Sequence, residues 1–131
     1  MATHHGECFS GRHGLLPLSI MPLVVGGTAE CFHTLETSDA VRITTGAEHV
    51  GMYQKTPVSQ RQYCKKCGGH LMTNHPPLGL VDVFAATLPT LKFNPGVHFN
   101  YAETVLPMRD GLPKFKDFPA EFGGSGEQIA E

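Results

Sequence analysis

The sequence predicts a mainly β protein, and three observations carry that expectation. Fifteen glycines and 10 prolines punctuate 131 residues, only 17% of the residues are charged, and Trp is absent. The apolar residues also alternate at period two, as in Val41 and Ile43 against Arg42 and Thr44, rather than recurring at three and four. A chain of this length forms one domain, burying roughly two-thirds of its unfolded surface, which is enough for a core without staples.

Taken in order, residues 1–14 are rich in His and Gly, with His4, His5 and His13 around Cys8, and carry no periodicity. Residues 15–25 are apolar except for Ser19, but Pro17 and Pro22 restrict them to an edge strand or extended segment. Three short strands follow, around residues 41–44, 50–54 and 59–63, with Pro57 in the turn before the third. Residues 71–74 make a fourth. Residues 80–88 form a nearly continuous apolar run, suited to a central strand buried on both faces. Residues 97–105 read as one more extended segment. Phe115, Phe118 and Phe122, spaced by three and four, predict a short helical or turn element laid on the sheet, and the Gly-rich residues 124–131 read as a loose tail.

The motif around which the chain is organised is Tyr63-Cys64-Lys65-Lys66-Cys67-Gly68-Gly69-His70. Two cysteines three apart and followed by glycine form a turn in which both thiolates point inward and backbone N–H groups reach sulfur. This is half of a tetrahedral zinc site. The other reading is a redox dithiol, but such a pair opens a helix and Gly68-Gly69 does not. Four cysteines in all are too few for a disulfide scaffold, so a reducing, cytoplasmic setting with bound Zn2+ is expected.

A formal net charge of -2 with no basic, aromatic-interleaved run excludes nucleic acid as a partner. No apolar run reaches the length of about 20 residues that spans a bilayer, and no cleavage signal follows residues 13–25, so no membrane association is expected. His70, His75 and His98 read as hydrogen-bonded structural residues and Glu103 as a solvated carboxylate.

Four segments carry a family resemblance: residues 63–71, then Leu80-Val-Asp-Val-Phe-Ala-Ala-Thr-Leu, then Val97-His-Phe-Asn-Tyr-Ala-Glu-Thr, then Leu112-Pro-Lys-Phe-Lys-Asp-Phe-Pro. In order and spacing, residues 40–131 resemble the glutathione-dependent formaldehyde-activating enzyme family, which includes centromere protein V. The resemblance implies an antiparallel β-tent fold over residues 1–131, with 1–39 degenerate.

It also implies two zinc sites, a carbon–sulfur lyase chemistry of the S-hydroxymethylglutathione synthase kind, and a small thiol such as glutathione as partner. The structural zinc of that family takes ligands from an N-terminal C-x-C-G and the later C-x-x-C-G. Carried onto this chain, the matching positions are Cys8, Cys64 and Cys67. Ser10 stands where the second N-terminal cysteine would be, and the fourth ligand is left among His4, His5, Cys31 and water. Cys31 otherwise reads as a small buried hydrophobe.

The catalytic C-x-C-x-x-C is absent. Residues 16–26, read one nucleotide later with permitted codons, can spell it, which suggests a frameshifted motif. The expectation is therefore at most one zinc per chain, with two classes of function open: a lyase with non-standard ligands, or a non-enzymatic zinc-stabilised relic or interaction module.

Overall fold

A computed structural model describes residue 6, residues 14–16 and 24–26, and residues 32–130, with side chains from residue 33 onward. The strands are β1 (Gly14–Leu16), β2 (Val24–Gly26), β3 (Phe32–Thr37), β4 (Arg42–Thr45), β5 (Val50–Thr56), β6 (Ser59–Cys64), β7 (His70–His75), β8 (Leu80–Phe84) and β9 (Val97–His98). Among the described residues every helical segment is a three-residue 3-10 turn. The fold is mainly antiparallel β, as the composition predicts.

Two compact units make up the chain, one formed by β1 and Thr34–Lys92, the other by β2, the first two residues of β3 (Phe32 and His33) and Phe93–Glu131. In the first, an antiparallel sheet runs in the order β5-β6-β7-β8-β3. Its register pairs Gln62 with Met72, Met72 with Val83 and Asn74 with Val81. Cross-strand partners share a face, so these side chains line one side. That side is the core: Cys64, Leu71, Met72, Val81, Val83 and Leu88 are all buried, and Val41, Ile43 and Val50 pack against them. β4 supplies Ile43 and pairs with β1 in a separate two-stranded sheet, which therefore covers this face.

The apolar run at 80–88 is shorter and less buried than its composition suggests. β8 stops at Phe84 and passes into a 3-10 turn at Ala85–Thr87. Within β8 only Val81 and Val83 are buried, while Leu80, Asp82 and Phe84 are half-buried. The reason is Asp82, a carboxylate that cannot enter an apolar layer unpaired and so fixes the opposite face as the polar one.

In the second unit β2 pairs parallel with β9. The extended segment expected at 97–105 ends after His98, because Asn100 adopts φ 52°, the left-handed region that short amide side chains tolerate, and a 3-10 turn follows at Tyr101–Glu103. Phe99 is 5% exposed and sits among the rings of Phe118, Phe115 and Phe122, with centroids 5.3, 6.1 and 6.3 Å away. The aromatic spacing in the tail thus encodes a small core, and the last of these rings lies on the 3-10 turn Ala120–Phe122.

Residues 124–130 are tied down rather than loose. Ser125 N–H and Oγ both donate to Asp117, at 3.0 and 2.6 Å. Backbone bonds from Gly126 N to Phe118 O and from Ile129 N to Lys114 O extend the attachment. Glycine content alone does not reveal a partner 8 residues upstream.

Candidate metal centre

β6 and β7 form a hairpin whose connection is the cysteine motif. Cys64 N–H donates to Gly69 O at 2.9 Å and Gly68 N–H to Cys64 O at 2.7 Å. The tight reversal needs Gly68 at φ 74°, a conformation that costs an L side chain strain. Within the loop Lys66 N–H points at Cys64 Sγ, 3.4 Å away. Such a bond stabilises a thiolate, the form that binds metal. Lys65 anchors the loop from outside, its N–H to His49 O at 2.8 Å and its ammonium to Glu48 O at 3.2 Å. Cys64 is wholly buried, while Cys67 faces solvent. Cys8, together with His4, His5, Ser10 and Cys31, lies outside the described residues.

A second cluster stands on the other face of the sheet. Alternation alone would place His70 and Thr73 on opposite sides of β7, since they are an odd number of residues apart. The register shows otherwise: moving one residue along β6, from Gln62 to Tyr63, moves two along β7, from Met72 to His70. Leu71 is the extra residue of a bulge. The bulge turns His70 to the side of Thr73, whose hydroxyl is 3.4 Å from His70 Nε2. Thr73 is in turn the cross-strand partner of Asp82 on β8.

His33 near the start of β3, His70 and Asp82 each offer one ligand atom, and these atoms lie within 4.8 Å of one another. The group could hold a metal ion. Donors around a single tetrahedral ion stand about 3.4 Å apart at ordinary bond lengths, so side-chain rotation of modest size closes it. Two imidazoles and one carboxylate suit zinc or another first-row divalent metal, and three protein ligands leave positions open.

His75 completes the arrangement from outside. Its Nε2 is 2.8 Å from Asp82 Oδ2 and its Nδ1 is 3.1 Å from Val58 O. Both partners only accept hydrogen bonds, so both are satisfied when the ring carries two N–H groups. The Asp82 hydrogen bond accordingly raises the His75 pKa above its ordinary 6.5, against the opposing effect of burial. A histidine that fixes one oxygen of a ligating carboxylate is a typical outer partner of a metal site.

The sequence did not single out His33 or Asp82, and took His70 and His75 as structural. The available signal was Asp82 itself, a carboxylate amid the apolar residues 80–84. The bulge at Leu71 hid the rest.

The other predicted positions have structural surroundings. His98, 2% exposed, holds Asp110 Oδ2 at 2.7 Å, and the ammonium of buried Lys114 holds Asp110 Oδ1 at 2.9 Å. Lys114, and less so His98, keep the Asp110 carboxyl far below the usual carboxylate range. Lys114 Nζ also stands 5.6 Å from the centroid of the Tyr101 ring. Glu103 is exposed.

No family model matches the chain, and no curated protein matches it. A crystal structure of a Rhodobacter sphaeroides protein is similar to it in fold, with a TM-score of 0.57 and 16% identity, over 67% of this chain and 90% of that one. At that identity the likeness extends to the fold alone. No helix among the described residues is long and apolar enough to cross a membrane.

Proposed function

We propose that the chain is a metal-binding protein built on a scaffold of the formaldehyde-activating-enzyme type, with zinc held by Cys64, Cys67 and Cys8 as a stabilising centre. The observation that carries this reading is the hydrogen bond from Lys66 N–H to Cys64 Sγ inside a turn closed by Gly68. It prepares a thiolate where a metal would need one.

Chemistry on small thiol adducts belongs, in this reading, to His33, His70 and Asp82. A metal bound there would supply Lewis acidity toward an aldehyde oxygen and a resting place for a thiolate, since three ligands leave it open. The chain's own contribution is positional. Thr73 sits against the His70 ring, and His75 holds Asp82 Oδ2. This supports a carbon–sulfur lyase activity that does not depend on the missing C-x-C-x-x-C. The absence of that motif favours the second reading, a non-enzymatic metal-stabilised module.

Glutathione–formaldehyde adduct formation, measured with zinc-loaded protein, separates them. The lyase reading expects a rate above the uncatalysed one, abolished by chelation, restored by metal, and lost in His70→Ala while the cysteine-bound zinc stays. A metal-loaded protein with no acceleration leaves the module.

A further inference from the structure

The register of the sheet carries the metal face beyond its ligands. Arg61 on β6 pairs with Tyr53 of β5 on one side and with Thr73 of β7 on the other, and Thr73 pairs in turn with Asp82 of β8. Cross-strand partners share a face, so Tyr53, Arg61, Thr73 and Asp82 form one row across four strands. Thr73 stands against the His70 ring, its hydroxyl 3.4 Å from Nε2. Arg61 is thus rooted one strand, about 5 Å, from the residue that touches His70. It is exposed, and its side chain pairs with no carboxylate among the described residues. The acid of the same row, Asp82, is held instead by His75 at 2.8 Å.

A guanidinium is always charged and presents two parallel N–H donors that match a carboxylate. A divalent metal at His70 and Asp82 would add positive charge to the same face, and Asp82 is the one carboxylate in the row to offset it. A neutral ligand leaves that charge unanswered, whereas an anionic one neutralises it. We propose that Arg61 selects the substrate of this face, donating to the carboxylate of a small thiol acid whose sulfur reaches the metal position. This inference rests on the metal reading given above and narrows its substrates from small thiols in general to anionic ones.

3-Mercaptopropionate and 3-mercapto-1-propanol test this, because they share a chain length and a thiol and differ in charge. Titrated calorimetrically into the zinc-loaded full chain at low salt, the acid is expected to bind about tenfold more tightly than the alcohol, the difference that hydrogen bonding to a charged group makes. The preference should shrink as salt is raised and vanish in Arg61→Met. It should survive in part in Arg61→Lys, which keeps the charge and loses the planar fork. Both variants should keep the zinc content of the unaltered chain, measured on the protein recovered after titration. Absent or equal binding of the two probes to protein that loses zinc on Asp82→Asn, or a preference that persists in Arg61→Met, overturns the role of Arg61 and leaves the metal reading standing. Zinc content unchanged by Asp82→Asn removes the metal reading, and the role of Arg61 with it.

Discussion

Glu36 and Asp110 show how burial and pairing push two carboxylates in opposite directions. Glu36 is 4% exposed and bonded to Thr34 Oγ1 at 2.8 Å. Burial raises its pKa above 4.5, and the Thr34 bond only partly opposes this. The folded state therefore holds the proton more tightly than the unfolded chain, and stability falls as pH rises from about 4.5 through the raised value. Glu36→Gln keeps an acceptor for Thr34 and removes the buried charge, so denaturant unfolding at pH 7 should show a more stable protein.

Asp110 has the reverse sign. Its carboxyl is held far below 3.8, first by Lys114 and then by His98, so its contribution is present at neutral pH and is lost as pH falls below about 4 toward the depressed value. Asp110→Asn should flatten the acid limb of the stability profile. It should also destabilise more at pH 7 than Lys114→Met, because it leaves a buried ammonium without its counter-charge, whereas the second change leaves a carboxylate that still reaches water.

At the scale of elements, much of the fold was legible because alternation and turn residues act locally. The strands around 41–44, 50–54, 59–63 and 71–74 were readable for that reason, as was the cysteine turn. What could not be read depends on partners distant in sequence. The Leu71 bulge exists only in the pairing of β6 with β7, and it decides that His70 joins Asp82. The attachment of residues 124–130 depends on Asp117 and Lys114. The end of the strand at His98 depends on Asn100 taking φ 52°, which many sequences avoid.

The hairpin of β6 and β7 also carries a stability prediction. If zinc binding at the cysteine turn is part of folding, Cys64→Ser or Cys67→Ser should cost on the order of several kcal/mol in zinc-loaded protein. Cys31→Ser should cost about 1 kcal/mol, the usual size of a point substitution. Equal melting curves for the three would remove zinc from the stability of the fold.

For the whole molecule, the proposed metal positions differ chemically, one of thiolates at a turn and one of imidazoles and carboxylate on a sheet face. The two sets share no residue, so each should load and empty independently of the other. Elemental analysis of purified protein, compared among the unaltered chain, Cys67→Ser and Asp82→Asn, tests this most directly. The account predicts two zinc equivalents in the unaltered protein and a loss of about one in each variant, with Asp82→Asn still folded. Metal-free protein after zinc loading, or the full complement retained in either variant, would contradict it.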